Sequence, residues 1–157
     1  MTRINRIVFL LMTCAMLFTG EQSDAGQHQT SAGQTLYVPV YSHIYGGNKE
    51  RPFHLAVTLS RRNTDKAHSI SLVTVDYYDS DGKLLRHYLD KPVDLRPMAS
   101  TRYIVKESDI EGGSGANFLV EWKSTLPVSI PIVDSVMIGT QSQQGISFTS
   151  RGQMISD

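Results

Sequence analysis

The sequence contains little cysteine, no excess of either charge and no long apolar segment. A single cysteine, Cys14, stands among 157 residues, so an intramolecular disulfide cannot form. Lys and Arg number 15 and Asp and Glu number 15, which gives a formal net charge of zero. That balance argues against a nucleic-acid-binding protein and against an acidic disordered tail. The main apolar run, residues 7–18, is shorter than the roughly 20 residues that a membrane-spanning helix needs.

The first 25 residues have the layout of a secretory signal peptide. Arg3 and Arg6 precede the apolar run, and a short polar stretch follows it. Small residues at Ser23 and Ala25 predict cleavage after Ala25, with cleavage after Gly20 as the alternative. We therefore expect a periplasmic or secreted protein with no membrane-spanning segment in its mature form.

The residues before Cys14 offer a second interpretation of this segment. Leu11, Met12 and Thr13 followed by Cys14 resemble a lipoprotein box, in which the cysteine would carry a lipid anchor. Thr13 fits that box poorly, since Gly, Ala or Ser normally precedes the cysteine. Removal of residues 1–25 from the 157 leaves 132 residues without a thiol. Cysteine nucleophiles and cysteine-based metal centres are then excluded, and we expect no cofactor.

The rest of the chain has the composition and periodicity of β-strands. From Gly26 onward there are eleven Val, nine Ile and nine Thr but five Ala, and β-branched side chains favour strands. Residues 26–33 are polar and predict a flexible N-terminal tail before a single domain at 34–157. Short alternating runs separated by turn residues favour an all-β domain, an antiparallel β-sandwich of immunoglobulin-like build, over a small barrel.

Local patterns refine this expectation. Residues 53–60 alternate between apolar and polar side chains and predict one half-buried strand. Residues 70–79 are partly apolar on both faces and predict a central strand. Residues 79–82 then predict a hairpin turn with Gly82 in the left-handed conformation. Val93–Leu95 lies between two prolines and predicts an edge strand.

Six stretches of the mature chain carry a resemblance to a known family. They are residues 37–45 (YVPVYSHIY), 62–65 (RNTD), 75–86 (VDYYDSDGKLLR), 96–100 (RPMAS), 112–122 (GGSGANFLVEW) and 139–152 (GTQSQQGISFTSRG). Together they resemble the bacterial family catalogued as domain of unknown function 3124, over residues 34–155. The resemblance implies an exported bacterial protein with a single domain, and it supplies no activity, ligand or site residue.

A glycine-rich segment is the most unusual candidate site. Its predicted ligand- or partner-binding residues are Gly112, Gly113, Ser114, Gly115 and Asn117. Backbone N–H groups in such a turn can bind an anion, and Ser114 is a candidate nucleophile. The segment lacks the Lys-Ser/Thr of a phosphate-binding loop, and Ala116 replaces the second glycine of a nucleophile elbow. A tight connection into the next strand is the structural alternative.

Two further segments are candidate contact surfaces. Tyr41, His43 and Tyr45 would share one side of an extended segment and suit contacts with a sugar or peptide. Gln143 and Gln144 lie in a polar segment that would form either a recognition loop or a solvent-exposed connection. Both segments join the glycine-rich segment as binding hypotheses.

The histidines and acidic residues give weaker indications. None of the five histidines has a neighbour at close ligand spacing, so a metal site would form only if the fold brings them together. Acidic residues cluster at 76–81 and at 107–111, where either Ca²⁺ sites or solvated turns fit the composition.

The sequence therefore predicts a non-catalytic envelope domain that binds an unknown envelope protein or a small ligand through its loops. One alternative is a metal-binding protein or small enzyme whose site residues converge only in the fold. Another is a structural subunit that pairs through an edge strand near Val93 or Ile146. We expect no nucleic-acid partner.

Overall fold

The computed structural model describes residues 29–46, 48, 50–141 and 144–156. The predicted signal peptide and the lipidation alternative at Cys14 lie outside these residues. The strands are β1 (Thr30–Pro39), β2 (His43–Gly46), β3 (Arg51–His54), β4 (Ala56–Arg62), β5 (Ile70–Tyr78), β6 (Leu84–His87), β7 (Val93–Leu95), β8 (Ser100–Val105), β9 (Asn117–Ser129), β10 (Ile132–Gln141), β11 (Gln144–Arg151) and β12 (Gln153–Ser156). A 3₁₀ helix, Gly113–Gly115, precedes β9, and the described residues contain no α-helix.

Two antiparallel sheets pack against each other, as the sequence predicted for an all-β sandwich. One sheet has the order β12-β1-β9-β5-β6, with β7 also paired to β5, and the other has the order β11-β10-β4-β8. The hairpin β2–β3 stands as a separate pair. Between β11 and β12 the chain passes from one sheet to the other at Gly152, whose amide donates to the Val133 carbonyl at 2.9 Å.

Strand β9 is the centre of the larger sheet. It pairs with β1 on one side and with β5 on the other. Its side chains alternate, and Phe118, Val120 and Trp122 are fully buried between the sheets. Each buried apolar side chain of this size contributes about 1.5–3 kcal/mol relative to exposure, so this strand supplies much of the core.

The predictions of a central strand, an edge strand and a hairpin turn are confirmed. Strand β5 lies between β9 and the edge strands, and Val93–Leu95 forms the short strand β7. At the β5–β6 turn, Gly82 has a φ of +79° and its amide donates to the Asp79 carbonyl at 3.1 Å.

Two strand boundaries differ from the prediction. Strand β1 begins at Thr30, so Thr30, Ser31 and Gly33 of the predicted tail pair with β9 instead, around an irregularity at Ala32. The single strand predicted at 53–60 divides at Leu55, whose amide donates to the Ser42 carbonyl at 2.9 Å. Before Leu55 the chain pairs with β2, and after it the chain pairs with β10 and β8. Alternation is a local property and does not reveal such a change of partner.

Side chains of the loop after β4 close one end of the sandwich. The buried Asn63 side-chain amide is within hydrogen-bond distance of the carbonyls of His68 (2.9 Å), Leu95 (3.1 Å) and Arg96 (3.1 Å). The Asp65 carboxylate accepts the backbone amides of Ala67, His68 and Ser129 at 2.9–3.1 Å.

These three donors stabilise the charged carboxylate of Asp65. Its pKa therefore lies well below the ordinary value of 3.8, first through the Ala67 amide and then through those of Ser129 and His68. Because the folded state lowers this pKa, the contribution to stability is present above pH 3.8 and is lost as the pH falls.

A buried cation lies near the end of β4. Arg61 is fully buried, and its guanidinium carbon lies 4.5 Å from the ring centroid of Tyr103. No carboxylate pairs with it among the described residues. Burial lowers the pKa of Arg61 to about 10, and Tyr103 opposes that shift only in part.

Replacement of Asp65 by Asn is expected to lower the free energy of unfolding at pH 7, because the three amides lose a charged acceptor. Urea unfolding at pH 7 and at pH 3 checks this. The difference between the wild type and Asp65→Asn should shrink as the pH is lowered. Asp81→Asn, which removes an exposed carboxylate from the β5–β6 turn, should show no such change. An equal difference at both pH values would contradict the assignment.

Replacement of Arg61 by Met is expected to preserve or raise the free energy of unfolding at pH 7, because Met fills the space without the desolvation penalty. Arg61→Ala should be about 2 kcal/mol or more less stable than Arg61→Met, since it leaves a cavity. Urea unfolding measures both, with the exposed Arg62→Met as control. A Met variant as unstable as the Ala variant would show that the cation itself is stabilising.

Candidate functional site

Two of the segments singled out in the sequence, residues 41–45 and the glycine-rich segment, meet at one end of the sandwich, which we call the tip. The tip comprises the β2–β3 hairpin, the glycine loop 112–117 and the adjoining parts of β10 and β11 around Gly139 and Phe148. The Ser42 amide and hydroxyl donate to the Gly113 carbonyl at 2.9 Å and 3.0 Å. The Tyr41 ring packs edge-on against Phe148 of β11, with centroids 5.7 Å apart. The segments therefore form one continuous surface.

The glycine loop is held from both sides by serine side chains. Ser80 Oγ donates to the Gly112 carbonyl at 3.0 Å and accepts the Gly115 amide at 2.9 Å. Gly113 has a φ of +77°, a conformation that favours glycine, and presents its carbonyl to Ser42. The loop thus uses these polar backbone groups in contacts with Ser42 and Ser80.

Gly112 covers the buried hydroxyl group of Tyr77. A Cβ atom at Gly112 would overlap the Tyr77 hydroxyl oxygen. Burial raises the pKa of Tyr77, which keeps this phenol neutral. Tyr77 in turn packs against Phe118, with centroids 5.1 Å apart, so the loop rests directly on the core.

Ser114 lies in the 3₁₀ helix of the loop and Asn117 at its end, without a catalytic arrangement among the described residues. Both are half-buried, and Asn117 begins strand β9. No histidine or carboxylate is hydrogen-bonded to Ser114 in the part of the chain that the structure describes.

The β2–β3 hairpin has one face toward the core and one face toward solvent. Ile44 and Phe53 pack against the core from directly opposite positions. The solvent face carries His43 and Tyr45 on β2 and His54 on β3. Tyr45 is 56% exposed. We call these three residues the histidine–tyrosine face.

Distances within the histidine–tyrosine face are short. His43 Nε2 and the Tyr45 hydroxyl oxygen are hydrogen-bonded at 3.1 Å, and their ring centroids lie 5.1 Å apart. His43 and His54 are direct cross-strand partners, with ring centroids 6.4 Å apart.

Some of the predicted contact residues pack within the tip, and others lie on its exposed surface. Tyr41, half-buried against Phe148, supports the tip, whereas His43 and Tyr45 form its exposed face. Gln144 is exposed at the start of β11, and Gln143 lies outside the described residues.

Sequence reasoning did not assign His54 to the site. Its position opposite His43 depends on the register of the hairpin, which no local pattern specifies. The one available signal was the pair of glycines after Tyr45, which made a turn there plausible.

Two further histidines and several acidic residues of the described chain have local structural partners. His87 Nδ1 lies 2.7 Å from an Asp76 oxygen, and His68 Nδ1 lies 3.1 Å from an Asp65 oxygen. Asp79 accepts the amides of Asp81 and Lys83 within the hairpin turn. Across the described ranges there is no group of three or more His, Cys, Asp or Glu side chains that could hold a metal ion.

Other surface features lie away from the tip. Depressions of about 570 and 490 Å³ are lined by the start of β1, the start of β5 and the later part of β9, in the opposite half of the sandwich. Of the helices in the described residues, none has the length and apolar character to cross a membrane.

Fold and site together define an all-β sandwich domain with an exposed histidine–tyrosine face at one end. The chain belongs to the family described as protein of unknown function DUF3124, whose model matches residues 33–155. A solved structure from Thermotoga maritima, protein 1070, is similar over 76% of this chain and 92% of that chain, with 14% identity and a TM-score of 0.43. No curated protein matches the chain.

Replacement of Gly112 by Ala is expected to lower the free energy of unfolding by about 1–3 kcal/mol, because the new Cβ displaces Tyr77 from its packed position. Gly46→Ala is the matched control, since a Cβ there would meet nothing within 4 Å. Urea unfolding of both variants measures the difference. A Gly112→Ala protein as stable as Gly46→Ala would show that the loop is not seated on Tyr77.

Proposed function

We propose that this protein is a non-catalytic domain of the bacterial envelope that binds a partner or small ligand through the tip. The observation that carries the proposal is the convergence of His43, Tyr45 and His54 on one exposed face. Export by the N-terminal segment is part of the proposal, and the signal-peptide layout of residues 1–25 supports it.

Hydrogen bonds and core packing hold the base of the hairpin in place, which supports a recognition role for the tip. The hairpin is anchored at its base by the Leu55–Ser42 and Ser42–Gly113 hydrogen bonds. Ile44 and Phe53 fix its inner face against the core. A surface that is ordered before binding loses little conformational entropy when a ligand arrives.

The chemistry of the face suits ligands that offer hydrogen-bonding groups or an aromatic or apolar surface. Tyrosine presents a large apolar ring with a hydroxyl group and has few rotatable bonds, and it is enriched among residues that dominate binding energy. Neutral histidine offers both a donor and an acceptor. Peptides and sugars present the matching groups.

Edge-strand pairing is the second candidate function. Strand β11 lies at the end of its sheet order and contains eight residues, including Ile146. A strand at the edge of a sheet presents backbone groups to which another chain can add a strand. Edge strand β7, with Val93 at 40% exposure, is shorter and is flanked by prolines that limit such pairing.

Cross-linking in intact cells tests the tip as the binding surface. A photoreactive amino acid placed at Tyr45 should yield a specific adduct, whereas the same amino acid at Tyr37 should not. Tyr37 is the matched control because it is also an exposed tyrosine, at 37%, but lies on β1. Adducts at Ile146 instead would favour edge-strand pairing.

With the cross-linked partner purified, Tyr45→Ser is expected to weaken binding at least tenfold, because a central tyrosine contact is lost. Tyr37→Ser should leave the dissociation constant within twofold of the wild type. Equal losses in both variants, or none in either, would contradict a binding surface at the tip.

A further inference from the structure

The four histidines within the described residues fall into two kinds. His68 and His87 each contact an aspartate oxygen, which accounts for their positions. His43 and His54 contact no carboxylate within the described chain and face each other across the β2–β3 hairpin. These two adjacent imidazoles have no acidic partner among the described residues, so their pairing calls for another explanation.

The hairpin register brings these two side chains close together. Because the Leu55 amide donates to the Ser42 carbonyl, the next pair, His43 and His54, occupies a non-hydrogen-bonded position. Side chains approach each other most closely at such positions in an antiparallel ladder.

The observed separation is near that of a shared metal ion. With Zn–N bonds of about 2.0–2.1 Å and tetrahedral geometry, two coordinated imidazole centroids lie roughly 5 Å apart. The rings of His43 and His54 are 6.4 Å apart, so side-chain rotations would bring the centroids about 1 Å closer and turn one nitrogen of each ring toward the ion. Both residues are only partly buried, which leaves room for that rotation.

Tyr45 completes the arrangement. Its hydroxyl oxygen lies 3.1 Å from His43 Nε2. A hydrogen bond to one nitrogen of a ligating imidazole fixes the ring orientation and leaves the other nitrogen for the metal. Water would fill the remaining positions, so the site would be open to a further ligand.

We infer that His43 and His54, oriented by Tyr45, bind a late first-row divalent metal ion such as Zn²⁺ or Cu²⁺ at the tip. Imidazole nitrogen favours these ions, whereas Mg²⁺ and Ca²⁺ favour oxygen ligands. The inference rests on the proposed function, because it supplies a ligand class for the same surface. The open coordination positions would accept a donor group of the bound partner.

Zinc titration of the purified chain tests the inference. Calorimetry in a buffer that does not bind metal should show saturable binding of one Zn²⁺ at pH 7.5, and Mg²⁺ should give no binding signal. In NMR spectra, the ring signals of His43 and His54 should shift with the same midpoint, since both would bind one ion.

Substitutions locate the metal. His43→Asn and His54→Asn should each weaken Zn²⁺ binding at least tenfold, and circular dichroism should confirm that both variants are folded. His68→Asn and His87→Asn are the matched controls and should change the dissociation constant less than twofold. His28→Asn is a further control, since His28 lies outside the described residues.

Two outcomes would overturn the inference. One is the absence of saturable Zn²⁺ binding by the wild type. The other is a loss of binding in a control variant while His43→Asn and His54→Asn still bind. The proposed function is tested separately, because cross-linking at Tyr45 that persists in His43→Asn and His54→Asn would show a partner surface that needs no metal.

Discussion

Strand β9 is the constraint on which the rest of this structure depends. It pairs along both edges while Phe118, Val120 and Trp122 fill the space between the sheets. A strand satisfied in this way cannot shift by one residue, because a shift would turn these three side chains to the outer face. Its position therefore fixes β1 and β5, and through them the place where the glycine loop enters.

The two ends of the sandwich are closed by the same kind of interaction. At one end, Asn63 and Asp65 bind backbone groups from several loops. At the other end, Ser42 and Ser80 bind the carbonyls of the glycine loop. Buried backbone groups in loops need such partners, since water does not reach them. Residues of the segments 62–65 and 112–115 supply these contacts.

The ends differ in what they leave exposed. Asn63 and Asp65 are occupied by their own backbone partners, whereas the hairpin at the tip turns two imidazoles and a phenol toward solvent. None of these three side chains belongs to the hydrophobic core. Polar side chains that make few contacts within the fold are free to contact a ligand. Side chains that already bind loop backbone groups are not, so the tip is the better candidate for recognition.

The sequence alone determined the structural class of this protein. Alternation and β-branched composition specify strands, and the turn residues at 79–82 specify a hairpin, because each effect acts between near neighbours in the chain. Neither the early start of β1 nor the division at Leu55 is encoded locally, since both depend on pairing with distant strands.

Only the tertiary structure decided which candidate residues share a surface. Gly112 and Gly113 have structural roles in the loop, because Gly112 packs on the Tyr77 hydroxyl and the Gly113 carbonyl accepts a hydrogen bond from Ser42. His54 lies on the same face as His43 because the hydrogen-bonded register of β2 and β3 places the two residues opposite each other. Sequence periodicity indicates which side chains are buried. Which residue lies opposite a given side chain depends on strand pairing, and strand pairing is set by residues distant in the sequence.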